Sequence, residues 1–269
     1  MDKIVHAIAG LPRSGSTLLC NILCQNPRFY ASSTSDLAQL LSVARMGLSL
    51  QPETKSDLAA DREQTERRIE RVFRAIVGAW YEHIDAPVVF DKGRPWGCLH
   101  RLQRAINPDA KLICCVRDPR AVFASVERQE YRFPYLTNNS ALSAGTLAAR
   151  AEAAFSAEGA IGVPLATVEE LLRIKPDNVL LFQYEYLAAH PEDAMRKLYA
   201  ALGEDWFDHD FEDVRDVSTD LDAQFLHKFP HEGRGKVAPC AYDWTEYVSD
   251  EVAQMIMLRA PRLTRRFRY

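Results

Sequence analysis

The feature that most constrains this chain is the stretch Gly10-Leu11-Pro12-Arg13-Ser14-Gly15-Ser16-Thr17. An apolar run from Ile4 to Ala9 precedes it and reads as a short buried strand. Leu18, Leu19, Ile22 and Leu23 follow at the spacing of a buried helix face. Strand, glycine-bounded loop and helix together make the layout of a phosphate-binding loop. In that layout successive backbone N–H groups and the positive end of the helix dipole converge on an anion. Gly10 and Gly15 keep the spacing of the nucleotide-triphosphate P-loop, and Thr17 fills its hydroxyl position. Position 16, a lysine in that loop, is serine here, and Arg13 supplies the loop's one cation. A phosphate cradle is expected, but not an ordinary ATP cradle.

Three further apolar runs read as buried strands: Val88 to Phe90, Lys111 to Val116, and Val179 to Gln183. Their carboxyl ends deliver Asp91 and Lys92, then Arg117 and Asp118, then Tyr184 and Glu185. Helical patterns lie between them. One runs from Asp36 to Leu50 with Ser35 as its cap, one unbroken from Ser56 to His83, and one from Trp96 to Ile106. Another carries Ala121 to Arg128 with Pro119 in its first turn. A longer one covers Gly145 to Arg173 with an interruption at Gly162-Val163-Pro164, and Pro191 to Leu202 ends at Gly203. Glu130 to Ser143 shows no period and reads as a mobile loop; Gly203 to Ser249 reads mostly as loop before a last helix to near Arg259. Strands alternating with helices imply an α/β fold with a three-layer, mainly parallel sheet, right-handed crossovers and P-loop-NTPase-like topology. Ligands in such sheets sit beyond the carboxyl ends of the strands, where all these polar residues fall.

At 269 residues the chain is expected to form a single domain over 1–269, with a nucleotide-binding core over 4–205 and a late loop and helix over 206–269. A net charge of −4 argues against nucleic acid as a partner. No apolar stretch approaches the roughly 18 residues of a membrane span. Met1-Asp2-Lys3 runs straight into the first strand, so a cytoplasmic protein with no membrane partner is expected. The six cysteines lack the spacing of a metal set, and reduced, buried thiols are the simpler reading. Arg259, Arg262, Arg265, Arg266 and Arg268 read as a solvated terminal segment.

The second signal is Val116-Arg117-Asp118-Pro119-Arg120-Ala121-Val122-Phe123-Ala124-Ser125. An arginine at a strand end and a serine on the next helix can hold one phosphate between them, the first by a charged fork and the second by a neutral hydrogen bond. The local alternative pairs Arg117 with Asp118 and tucks Ser125 against its own helix. Together with the loop at residue 10, the segment resembles the sulfotransferases that use 3′-phosphoadenosine 5′-phosphosulfate (PAPS). Its wording is most similar to tyrosylprotein sulfotransferases and their bacterial relatives. The resemblance implies the sulfotransferase fold, with PAPS as co-substrate. It implies that Pro12, Arg13, Ser14, Gly15, Ser16 and Thr17 hold the 5′-phosphosulfate, and that Arg117 and Ser125 hold the 3′-phosphate. Tyr184-Glu185-Tyr186-Leu187 is similar to the family's Tyr-Glu-Asp-Leu segment, whose first tyrosine lies near the adenine; Tyr186 replaces the aspartate. Gly233-Arg234-Gly235-Lys236 resembles the basic late loop that closes over the nucleotide, which implicates Arg234 and Lys236.

Sulfuryl transfer, like phosphoryl transfer, builds negative charge on the bridging and leaving oxygens. It needs fixed cations there and a base for the acceptor hydroxyl. Arg13 is suited to the leaving phosphate, and Lys92 looks like the family's catalytic lysine, with pairing to Asp91 or solvent as its alternative. No metal is demanded by an already activated donor. The family's glutamate base has no counterpart, since its position is Thr34. Asp36 is the nearest carboxylate and equally an ordinary first-turn helix residue; His100 and Glu185 are poorer candidates. The acceptor hydroxyl, of a peptidyl tyrosine, a sugar or a small molecule, stays open. Two other functions compete: a P-loop ATP-dependent kinase with Asp91 as magnesium ligand, and a nucleotide-binding module without catalysis.

Overall fold

The structure is a computed structural model that describes residues 3–132, 145–216 and 235–269. Five strands form its sheet: β1 (Ile4–Gly10), β2 (Phe29–Ala31), β3 (Val88–Lys92), β4 (Leu112–Val116) and β5 (Val179–Gln183). They pair entirely in parallel, in the order β2-β3-β1-β4-β5. The short β2 was not expected from the sequence. Its three residues, Phe29-Tyr30-Ala31, are too short an apolar run to announce a strand, and they pair with β3, where Phe29 packs edge-on against Phe90.

The period of two along each strand builds two cores. Val5, Ala7, Ala9, Val89, Cys114 and Val116 face one side; Ile8, Phe90, Ile113 and Cys115 face the other. The second side is covered by α1 (Ser16–Leu23), with α9 (Tyr184–Ala189) and α10 (Pro191–Leu202). The first carries α2 (Leu37–Leu50), α4 (Arg62–Trp80), α5 (Trp96–Ile106), α6 (Pro119–Arg132) and α8 (Gly162–Ile174). The result is the expected three layers.

Several boundaries differ from the sequence expectations. The helix expected to run unbroken from Ser56 to His83 is two: α3 (Pro52–Ala60) and α4. Asp61 separates them in extended conformation and caps α4 by accepting from the Gln64 N–H at 2.9 Å. The interruption expected at Gly162-Val163-Pro164 is present but falls earlier, between α7 (Leu147–Ala154) and α8, which starts at Gly162, packed against the Phe155 and Ser156 carbonyls where a Cβ has no room. The helix after β4 runs on to Arg132, into the segment read as loop; the remainder of that segment, 133–143, lies outside the described residues. After α11 (Asp250–Arg259) the arginine-rich tail is not simply solvated. It forms α12 (Pro261–Phe267), docked by Glu169, whose carboxylate accepts from the Arg262 and Leu263 N–H groups at 3.1 and 2.8 Å.

The strand order changes direction at β1: the chain moves from β1 toward β2 and β3, then returns to β4 on the other side. The loops leaving β1 and β4 therefore diverge, and the crevice between them is where parallel sheets bind ligands.

Candidate functional site

Two backbone features shape the loop after β1. Gly10 has φ 122°, and a Cβ there would sit 2.0 Å from the Cys115 carbonyl oxygen, so only glycine lets the loop leave the sheet this close to β4. Gly15 has φ 81° and serves as the N-cap of α1, which no side chain caps. The first-turn N–H groups of α1 are thus left to the cleft. Inside the loop the Ser14 hydroxyl donates to the Leu11 carbonyl at 2.5 Å, a brace that closes the turn. Arg13 adopts the left-handed conformation at φ 57°.

An open cleft of about 170 Å³ lies over this loop. Arg13, Gly15, Ser16 and Thr17 line one wall, and Arg117, Ser125 and Tyr184 another. The Arg13 Nε donates to the Ser125 hydroxyl at 3.1 Å, and the Arg117 guanidinium donates to the Arg13 carbonyl at 2.9 Å. The two motifs singled out in the sequence are thereby tied into one unit. The local alternative for Arg117 does not hold: Asp118 is taken by Arg120, whose Nε and terminal nitrogen both bond its carboxylate. Arg117 is buried, its guanidinium carbon lies 4.4 Å from the centre of the Tyr184 ring, and its Nε has no hydrogen-bond partner among the described residues.

Lys92 ends β3 and reaches across to the loop, donating from Nζ to Thr17 Oγ1 at 2.8 Å. The cation that position 16 lacks is supplied from the neighbouring strand. It does not pair with Asp91, which points to the opposite side of the strand. There Tyr81 donates to Asp91 Oδ2 and the Trp96 indole to Oδ1 at 2.5 Å. Burial pushes the Asp91 carboxyl up, against the opposing hydrogen bonds from Ser35, Trp96 and Tyr81. A fully buried carboxylate saturated by donors is no magnesium ligand, which removes the kinase reading's main support.

Asp36 stands exposed immediately before α2 and makes no capping hydrogen bond. Its neighbour Ser35 donates its backbone N–H to the Lys92 carbonyl at 3.0 Å, so Asp36 belongs to the same edge of the sheet as Lys92. Pro12 and Ser14 sit in the loop without lining the cleft. His100 lies on α5, where its carbonyl accepts from Asn178 beside the amino end of β5, away from the loop. Glu185 is structural: Oε1 accepts from the Asp118 N–H and Oε2 from the C-terminal Tyr269 hydroxyl, each at 2.9 Å. Lys236 lines the cleft from its rim and pairs with Glu212 at 2.6 Å; Arg234 lies outside the described residues. Among the described residues, no cluster of histidine, cysteine and carboxylates suits a metal ion.

Sequence reasoning missed Arg128, Cys240 and Tyr242, which also line the cleft. Arg128 lies one helical turn beyond Ser125 and stacks over Tyr242 at 4.8 Å, a spacing the sequence carries. Cys240 accepts from Arg117 at 2.9 Å and lies 3.2 Å from the Tyr184 hydroxyl. No periodicity announces Cys240 or Tyr242, because their segment is irregular.

A parallel sheet with this order, a glycine-bounded loop capping a helix, and a buried arginine at the next strand end define a nucleotide-phosphate-binding α/β protein. The sequence matches the sulfotransferase family over residues 7–208, and the chain belongs to that family, whose activity is sulfuryl transfer. The fold agrees. It is similar to the sulfotransferase domain of the Synechococcus PCC 7002 olefin synthase, at TM-score 0.58 and 20% identity, covering 99% of this chain and 94% of that one. It is similar to mouse sulfotransferase SULT7A1 complexed with PAP, at TM-score 0.53 and 15% identity over 96% of this chain and 83% of that one. Retinol dehydratase, in complex with androsterone and the inactive cofactor PAP, matches at TM-score 0.51 and 14% identity over 97% and 80%. No curated protein matches the chain in sequence.

Proposed function

We propose that this sulfotransferase takes its sulfuryl group from PAPS and passes it to the hydroxyl of a small organic acceptor. The observation that carries the donor reading is Arg117: a buried cation with an unsatisfied Nε, bonded to the loop that would hold the donor's other phosphate. A buried guanidinium with an open N–H fits a bound phosphate far better than an apolar cleft wall. A donor with two separated phosphates suits two linked anion sites, and structural neighbours solved with PAP support that choice.

PAPS supplies an activated phosphosulfate, so the chain need only orient it and stabilise charge. The α1 N-terminus with Arg13, Gly15, Ser16 and Thr17 holds the 5′ end, Arg117 and Ser125 the 3′-phosphate, and Tyr184 the adenine side, while Pro12 and Ser14 shape the turn. Lys236 meets the nucleotide from the rim of the cleft. Arg13 and Lys92 approach the loop from opposite sides and counter the charge that develops on the bridging oxygen. Asp36 accepts the proton of the acceptor hydroxyl.

The outward side of α2, which starts beside Asp36, exposes Leu40, Val43, Met46 and Leu50. That surface favours an acceptor with apolar bulk over a charged peptide. One structural neighbour, retinol dehydratase, was solved with androsterone and also with retinol, both apolar alcohols.

Ligand-dependent thermal unfolding tests the donor. Adenosine 3′,5′-bisphosphate at about 100 times its dissociation constant is expected to stabilise the protein by about 2.7 kcal/mol without metal. Stabilisation by Mg-ATP alone would return the kinase reading. Transfer of radiolabelled sulfate to sterols, phenols, sugars and peptides then tests catalysis. Tight bisphosphate binding with no transfer to any of them would identify a binding module.

A further inference from the structure

Arg117 is 5% exposed, yet among the described residues no carboxylate pairs with it. The nearby acids are committed elsewhere: Asp118 to Arg120, and Glu185 to the Asp118 N–H and the Tyr269 hydroxyl. The acceptors that orient the guanidinium are the Arg13 carbonyl and the Cys240 sulfur, each at 2.9 Å. They fix the fork's plane and direction. A carboxylate in the place of Cys240 would hold the fork as firmly and leave less net charge for a ligand. The thiol also lies 3.2 Å from the Tyr184 hydroxyl, while the Tyr184 ring lies against the guanidinium face. Cys240 is thus the point at which the arginine and the tyrosine are braced against each other. With two of its five N–H groups occupied this way, Nε and one N–H on each terminal nitrogen are left for an anion.

We infer that Cys240 is a positioning residue of the donor site, a brace that holds Arg117 in place for a 3′-phosphate. The inference rests on the donor reading above and goes beyond it by naming a residue that touches no reacting atom. It acts through Arg117 and through the one phosphate that Arg117 meets. Its signature is therefore selectivity between two nucleotides. Adenosine 3′,5′-bisphosphate uses the braced fork, and adenosine 5′-monophosphate does not.

Calorimetric titration of both nucleotides into the full chain and its variants tests this. Cys240→Ala is expected to weaken bisphosphate binding about tenfold, as for a lost hydrogen bond to a charged group, and to weaken monophosphate binding by less than about threefold through Tyr184. Cys240→Ser, which keeps an acceptor, is expected to stay within about threefold of the parent. Cys240→Asp, which holds the fork but neutralises it, is expected to lose at least as much as Cys240→Ala. In an Arg117→Ala background Cys240→Ala and Cys240→Ser are expected to have no further effect. Equal losses for both nucleotides would make Cys240 a packing residue and overturn the inference. So would unchanged bisphosphate affinity in Cys240→Ala, or full affinity in Cys240→Asp. If the parent protein binds the two nucleotides equally, the donor reading fails first, and the inference falls with it.

Discussion

Arg13 is held in a conformation that side chains seldom adopt. Its left-handed backbone, at φ 57°, costs about 1 kcal/mol relative to an ordinary turn residue, and glycine would avoid that cost. Two contacts offset it: the side chain bonds Ser125, and its carbonyl accepts from Arg117. The strain turns both ends of one residue toward the second motif, which an extended backbone could not do. Lys92 does the corresponding task from β3, meeting Thr17 across the mouth of the loop. Because both cations act on charge that grows during transfer, Arg13→Ala and Lys92→Ala are each expected to lower kcat about 100-fold to 1,000-fold. Bisphosphate affinity is expected to fall much less. Asp36→Asn is expected to lower kcat by a similar factor through loss of the base, with bisphosphate affinity intact. Sulfate-transfer rates and binding titrations on the same preparations check the set. An Arg13→Ala enzyme with full activity and unchanged donor affinity would sink the mechanism.

At the scale of elements, the junction of β1 with the loop is the least tolerant point. Gly10 faces the Cys115 backbone so closely that any side chain must push β1 and β4 apart, and its φ of 122° is strained for every other residue. Gly10→Ala is therefore expected to destabilise the fold by more than about 3 kcal/mol, well beyond an average substitution. Chemical denaturation would report it, and a loss below 1 kcal/mol would mean that the strands separate easily there. Gly10 was legible in the sequence, as were the four longer strands, because continuous apolar runs in a parallel sheet need little context to be read. The break at Asp61 was written too, as an aspartate followed three residues later by Gln64, but it sits inside a polar helix face where a cap looks like any other charge. β2 was not legible, since its pairing depends on Phe90, distant in sequence. The two motifs read from the sequence as an anion site lie together in the fold. The bonds from Arg13 to Ser125 and from Arg117 to Cys240 join residues more than a hundred positions apart, and no local pattern records them.

Across the whole molecule, two buried histidines link stability to pH. His6 lies in β1 on the side of the sheet that α1 covers, 1% exposed, with Nδ1 accepting from the Lys111 N–H. Burial, aided by the charge of Lys111, lowers its pKa to about 4. His209 is 7% exposed, packed among Tyr199, Trp206 and Phe207, and burial lowers it to about 4 as well. In the unfolded chain both return to the ordinary value of about 6.5. Between pH 6.5 and 4 the unfolded state therefore binds more protons than the folded one, so stability rises with pH across that window. The contribution is complete above about pH 6.5, declines as pH falls, and is gone once pH drops through the folded-state value. By pH 5 each histidine is expected to have removed roughly 2 kcal/mol relative to pH 7. The Tyr199 hydroxyl that bonds His209 Nε2 also accepts from Asn26 just before β2, so protonation at His209 is felt at the edge of the sheet. Urea unfolding at pH 7 and pH 5 is expected to show a lower midpoint at the acid value with an unchanged slope. A His6→Gln variant is expected to lose stability at pH 7 but to show a smaller fall between the two pH values. A midpoint that does not move between pH 7 and 5 would mean that neither histidine is held neutral by the fold.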